Sequence, residues 1–578
     1  MRHFFVLILA IGSFINSNGQ REKVFQENRT VTWGEAREIY RELADEHEWA
    51  SYQQFGFSDV GKPLEVFIIE KDRTERGGVS PRKSVLLINN GIHPGEPCGV
   101  DASIQLVRRL LSGNERYTRL LDSVVVAVIP IYNIGGALNR SSTVRANQNG
   151  PEEYGFRGNA RNLDLNRDFI KCDSRNAASF AQLYHALRPH VFVDTHTSNG
   201  ADYQYIMTMI ATQPDKAGEA MGSYIREKMN PALFEAMEAD QWEMTPYVFT
   251  RAGIPDEGIQ DFLETPRYST GYTALFNTIG FTSETHMLKP FPQRVESTYR
   301  FLLKTMEYMH EHNSELIQLK KEADEMVSKQ KEFELDWEID TTQYRMIPFK
   351  GYEATYPTSD VTGFKRLKYD HSKPFLKEIR YYDVAKATAT VEAPLAYVLP
   401  QQWREVVERM NWNNVEMTRI PKDTTIMCEV YYLSNYRSAS RAYEGHHFNT
   451  LEELTLLIEE VDLYAGDYLI RVNQPTNRYI VETLEPQGVD AFFVWNFFDS
   501  ALQQKEWYSD YVFEDTAAEL LLNNKELAAA FEKAKKEDPE LAANPSRQLY
   551  WIYMRSPYYE GTVNRYPIFR LNQLPEGW

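Results

Sequence analysis

Apolar and polar positions change period repeatedly along the chain, and each change marks an element. Residues 32–47 place apolar side chains three and four apart, the spacing of an amphipathic helix, with Thr32 positioned to cap its start. Residues 64–69 and 84–89 are short apolar runs of strand character, separated by a polar turn over 73–83. Helical spacing returns over 97–111, opening on Pro97, a residue suited to the first helical turn. Residues 123–132 are β-branched and almost continuously apolar, the pattern of a strand covered on both faces. A helix over 177–187 and a strand over 190–194 continue the alternation. Strands alternating with helices predict an α/β fold, with a mixed, mostly parallel sheet flanked by helices.

A long charged helical pattern over 299–333 leads out of this unit. Beyond residue 336 the texture changes. Short strand patterns appear at 387–391, 424–430, 469–472 and 478–484, with acidic and Ala-rich helices such as 526–536. These predict a mainly β C-terminal region with helical additions. The expected division is 20–310 for an α/β domain, 311–335 for a helical linker and 336–578 for the accessory region. At the other end, Arg2 and His3 precede an apolar run over 4–15 and then Ser17-Asn18-Gly19. This is the layout of a cleaved signal peptide, residues 1–19. The run of about twelve residues is short of the ~20 needed to span a bilayer. The expected location is therefore secreted or periplasmic, without stable membrane insertion.

Composition narrows the choices. The 578 residues are 43% hydrophobic and 25% charged, which excludes a fully disordered chain or a multi-pass membrane protein and allows two to four domains. A net charge of −19 argues against phosphate-directed nucleic-acid binding. Three widely spaced cysteines, Cys98, Cys172 and Cys428, are no disulfide framework. The aromatic clusters of the second half, Trp403, Trp412, Tyr431, Tyr432, Trp495, Trp507 and Trp551, read as core before they read as a ligand platform.

Candidate chemistry starts where the second apolar run ends. In Asn89-Asn-Gly-Ile-His-Pro-Gly-Glu96, Pro94 and Gly95 force a loop between His93 and Glu96, at the C-terminal end of a strand where α/β sheets bind ligands. An imidazole and a carboxylate held there suit zinc. His196, in His190-Val-Phe-Val-Asp-Thr-His196, ends another apolar strand and completes a two-His, one-Glu set with an open position for water. Between them, Asn166 beside Arg167 can grip a carboxylate through the arginine fork. Glu284, in Phe281-Thr-Ser-Glu284, can act as a general base if the fold brings it to the metal.

Together and in this order, His-x-x-Glu, Asp-x-Asn-Arg, a strand-end His and a late Glu resemble the M14 zinc carboxypeptidases, the family of the pancreatic carboxypeptidases. The resemblance covers about half the chain, roughly residues 32–310. It implies one zinc per chain held by His93, Glu96 and His196, with Glu284 as general base. Arg157 would stabilise the oxyanion. Asn166 and Arg167 would hold the terminal carboxylate of a peptide substrate, and Asp164 would orient a zinc histidine. The family also has a tyrosine over the terminal residue, for which Tyr268 and Tyr272 are candidates and Tyr268 is preferred. Gly95 departs from the arginine that many animal members carry there. The expected activity is hydrolysis of C-terminal peptide bonds by a secreted zinc carboxypeptidase acting on peptide or protein C-termini. A zinc amidohydrolase, deacylase or cell-wall peptide amidase with the same site layout is the alternative. A metal-free binding protein is disfavoured, since no ligand or base is missing.

Overall fold

The computed structural model describes residues 24–71, 80–251, 253–575 and 578. The signal-peptide segment and residues 73–79 of the polar turn lie outside the described residues.

An eight-stranded mixed sheet forms the first half. In chain order its strands are β1 (Ala50–Phe57), β2 (Pro63–Ile69), β3 (Ser84–Asn89), β4 (Val124–Ile129), β5 (Val191–Ser198), β6 (Met207–Ala211), β7 (Met244–Pro246) and β8 (Ile279–His286). They lie side by side as β1-β2-β4-β3-β5-β8-β6-β7. The central pairings β3 with β4, β3 with β5 and β5 with β8 are parallel, and so is β6 with β7. The remaining pairings, β1 with β2, β2 with β4 and β8 with β6, are antiparallel.

Strand alternation explains why β3 and β4 read as unbroken apolar runs. Leu86 and Ile88 enter one core, with Val124, Val126 and Val128. Val85 and Leu87 enter the other, with Val125, Ala127 and Ile129. The first core is covered by α1 (Trp33–Glu46), α2 (Cys98–Leu111) and α5 (Phe291–Glu311), and the second by α3 (Arg175–Leu187) and α4 (Ser269–Ala274). Helix α1 begins as expected: the Glu35 N–H donates to Thr32 Oγ1 at 3.2 Å, and the Thr32 N–H donates to Glu35 Oε2 at 2.7 Å.

The second core does not end with the sheet. It continues through Tyr397, Met410, Tyr479, Phe492, Trp495 and Tyr566, so the C-terminal region packs on the face carrying α3. That region holds a six-stranded antiparallel sheet, including the long hairpin β9 (Thr424–Ser438) and β10 (Asn449–Leu463), and a set of late helices between Asp510 and Tyr553. Trp495 and Tyr431 are core, as expected of the aromatics, whereas Trp507 is 66% exposed.

Two expectations are corrected. Residues 478–484 are not a strand but lie in helix α7 (Asn477–Leu484); every position of α7 is buried, and a fully buried segment shows neither helical nor strand period. The pattern over 299–333 is not one helix. Helix α5 ends at Glu311, α6 (Asn313–Val327) follows, and residues 332–335 begin a strand. The break at His312 lets Asn313 Oδ1 accept the Ser84 N–H at 2.7 Å, tying the helix pair to the start of β3. All three cysteines are free and buried. Among the described residues no helix is long and apolar enough to cross a membrane.

Candidate active site and metal centre

The site lies beyond the C-terminal ends of β3, β5 and β8, the three central parallel strands. After β3, a turn closed by the Glu96 N–H on the His93 carbonyl at 2.8 Å folds His93 and Glu96 towards each other, and α2 then carries the chain away. His196 sits on β5. One ligand atom from each of His93, Glu96 and His196 lies within 4.8 Å of the others, and all three side chains are buried. His93 Nδ1 is 3.4 Å from Glu96 Oε1, and His196 Nδ1 is 3.2 Å from Glu96 Oε2. His93 Nδ1 is buried without a hydrogen-bond partner, which fits a nitrogen reserved for a metal.

The opposite nitrogens are held from behind. His93 Nε2 lies 2.8 Å from Asp164 Oδ1. His196 Nε2 lies 3.1 Å from Asp194 Oδ2 as an ion-pair contact, off the line of a formal hydrogen bond. Asp194 Oδ1 also accepts from Asn89 Nδ2 at 3.1 Å. Carboxylates in such positions select the tautomer that leaves Nδ1 free as a ligand. Burial works against ionised Asp164, but His93 and Arg157 outweigh it and keep its pKa well below the ordinary range. Glu96 behaves likewise: Arg145 and His93 overcome its burial.

Glu284 on β8 stands in register with His196 on the adjacent parallel strand. Paired residues of parallel strands point to the same face, so this carboxylate is delivered beside the metal-ligand trio. Its Oε2 has no hydrogen-bond partner, and burial raises its pKa to about 8. A bound cation would pull that value down.

The polar stretch between the ligands supplies cations. Arg157 contacts Asp164 Oδ2 through Nη2 at 2.8 Å and reaches within 3.5 Å of Glu96 Oε1 through Nη1, with its side chain 46% exposed. Asp164 caps the turn Leu165–Arg167 by accepting the Asn166 N–H at 2.9 Å. Asn166 Oδ1 accepts the Ser269 N–H at 3.1 Å, which fixes its amide at the start of α4. Arg167 lies over the Tyr268 ring at 4.3 Å, donates from Nη1 to the Asn166 carbonyl at 2.7 Å and from Nε to Tyr443 Oη at 3.1 Å. The structure thus brings together His93, Glu96, His196, Glu284, Arg157, Asp164, Asn166, Arg167 and Tyr268. Tyr272 is fully buried and hydrogen-bonds Asn413 at 2.6 Å, out of reach of a substrate.

Sequence reasoning missed three contributions. Asp194 was legible, because it stands two residues before His196 and so on the same face of β5. Arg145 was not. Its guanidinium donates to Glu96 Oε1 and, at 2.8 Å, to the Thr197 carbonyl. A Cβ on Gly95 would come within 2.7 Å of the Arg145 Cδ, so the glycine leaves room for this side chain to pass. The third is the contact of Tyr443 and its neighbour Glu444, from the C-terminal half, with the 164–167 turn.

The chain belongs to the zinc carboxypeptidase family, peptidase M14, whose model matches residues 37–358. It is accordingly a metallocarboxypeptidase, a hydrolase whose family metal is zinc, with the His93, Glu96 and His196 cluster as the candidate site. Carboxypeptidase 2 of Trichophyton rubrum is 21% identical over 471 residues, covering 78% of this chain and 81% of that protein. Probable carboxypeptidase 2 of Arthroderma benhamiae is 21% identical over 468 residues, covering 78% and 82%. Among solved structures, a metallo-carboxypeptidase from Burkholderia cenocepacia aligns over 47% of this chain and 68% of its own at 16% identity, with a TM-score of 0.36, too distant to bear on the site.

Proposed function

We propose that the chain is an exported zinc carboxypeptidase that removes residues from the C-termini of peptides, with His93, Glu96 and His196 as its metal ligands. The observation that carries this reading is the unpartnered Nδ1 of His93 facing Glu96 and His196, with Glu284, whose Oε2 has no hydrogen-bond partner, in register beside them. Two imidazoles and one carboxylate suit a catalytic zinc. A zinc held by these three residues would supply a Lewis acid that brings the pKa of water to about 7 and polarises a carbonyl.

The chain's own residues do the rest. Glu284 takes the proton of the attacking water and returns it to the leaving amine, which asks for a carboxylate with a pKa near the working pH. Arg157, anchored on Asp164 yet partly exposed, offsets the negative charge that grows on the scissile carbonyl oxygen. Arg167 and Asn166 receive the terminal carboxylate, with Tyr268 supporting the guanidinium from one face. Gripping the chain end makes the enzyme an exopeptidase. Export rests on the signal-like residues 1–19. We read 20–310 as the catalytic part, 311–335 as the connection and 336–578 as an accessory region that shapes the cleft.

Glu284→Gln tests the mechanism. General-base loss is expected to lower kcat by roughly 10²–10⁴-fold with zinc content unchanged. Peptide hydrolysis at the wild-type rate would remove Glu284 from the reaction. Blocked dipeptides assayed against N-acyl amino acids separate a carboxypeptidase from a deacylase.

A further inference from the structure

The hairpin of β9 and β10 ends in a tip planted on the active-site turn. Tyr443 and His446 exchange backbone hydrogen bonds, at 2.8 Å from the Tyr443 N–H and 3.0 Å from the His446 N–H. The two residues between them, Glu444 and Gly445, have φ of 49° and 87°. This is the two-residue turn that matches the twist of a hairpin, and a glutamate at its first position is strained where asparagine or glycine would be at ease.

The tip is held from two sides. His446 lies 2.7 Å from Asp173 Oδ2 and 2.7 Å from Asn496 Oδ1. The Tyr443 ring stacks at 23° to that of Trp495, which is fully buried. From this mount two polar groups reach the catalytic half. Tyr443 Oη accepts the Arg167 Nε–H at 3.1 Å, and Glu444 Oε2 accepts the Asp164 N–H at 2.8 Å. Arg167 therefore has Tyr268 across its face and Tyr443 on its Nε edge. Nη1 donates to the Asn166 carbonyl at 2.7 Å, and a substrate carboxylate would be met by the other N–H groups of the guanidinium.

We propose that Tyr443 and Glu444 are positioning residues for substrate binding: the C-terminal region builds half of the mount that aims Arg167 at the substrate's terminal carboxylate. This rests on the reading of Arg167 as the carboxylate clamp. It gives the second half of the chain a role in the reaction, although none of its residues need touch the scissile bond. The partnership is absent from any local motif, since Tyr443 stands 276 residues from Arg167.

The test uses the full-length, zinc-loaded enzyme and a peptide with a free C-terminus. Tyr443→Phe keeps the ring on Trp495 and removes only the hydroxyl. Losing one hydrogen bond to a charged group, felt indirectly, is expected to raise KM about 5- to 10-fold with kcat within about twofold. Arg167→Gln should raise KM much further, and Tyr443→Phe added to it should have no further effect, because the hydroxyl acts through the guanidinium. Glu444→Ala should also raise KM, and Glu444→Gln, which keeps a carbonyl for the Asp164 N–H, should restore it. An unchanged KM in Tyr443→Phe and Glu444→Ala, alongside a raised KM in Arg167→Gln, overturns this inference and leaves the clamp intact. So does a Tyr443→Phe penalty that persists in the Arg167→Gln background. If Arg167→Gln leaves KM unchanged, the clamp itself falls and the inference with it.

Discussion

Asp194→Asn tests whether the metal centre is held from behind. Asp194 is fully buried on β5, with Oδ1 taking the Asn89 amide at 3.1 Å and Oδ2 3.1 Å from His196 Nε2. The carboxylate accepts only, so it favours a proton on Nε2 and leaves the Nδ1 lone pair towards Glu96, 3.2 Å away. Asparagine of the same shape presents an NH2 to Nε2 in one of its two orientations, which favours the opposite tautomer and blocks Nδ1. Removing the residue behind a metal ligand typically costs roughly 10- to 100-fold in metal affinity, which at about 1.36 kcal/mol per decade is about 1.4–2.7 kcal/mol. Competition with a zinc-selective chelator at neutral pH measures it, with near-UV circular dichroism as the control for folding. An Asp194→Asn affinity within about twofold of wild type, in a folded protein, would refute the argument.

Two further predictions concern stability. Asp101 on α2 is buried against Thr30, whose hydroxyl donates to it at 2.5 Å, and burial raises its pKa from 3.8 to about 7. Between those values the unfolded chain releases a proton that the folded protein keeps, so Asp101's contribution is complete below about pH 4 and is lost as pH rises to about 7. Asp101→Asn, neutral throughout, should gain on wild type by up to about 4 kcal/mol across that window in urea unfolding, and a pH-independent difference would contradict it. Trp495 is fully buried in the core shared by both halves of the chain, with Arg267 over its ring at 5.1 Å. Trp495→Ala should cost about 3–5 kcal/mol and lower the melting of the catalytic half as well; a loss confined to the C-terminal region would contradict a shared core.

What was legible in the sequence was local. The apolar runs that became β3 and β5 end just where His93 and His196 stand, and the loop enforced by Pro94 and Gly95 is visible in the residues themselves. The capping box at Thr32 is equally local. Asp194 was readable from strand alternation alone. The register that sets Glu284 beside His196 was not, because it depends on which strands become neighbours, and a one-residue slip would have turned Glu284 to the opposite face. Helix α7 escaped notice because burial on all sides erases its period. Arg145 over Gly95, and Tyr443 and Glu444 on the 164–167 turn, are contacts across 50 to 280 residues that no spacing rule encodes.

The central claim, that this site grips a free chain end beside a catalytic zinc, is tested most directly with one matched pair of peptides. The zinc-loaded enzyme is given the same peptide with a free and with an amidated C-terminus, and the products are followed by mass. The account predicts stepwise release of C-terminal residues from the free acid and little or none from the amide, which offers Arg167 no carboxylate. Equal cleavage of both peptides, or cuts within the chain, would contradict it.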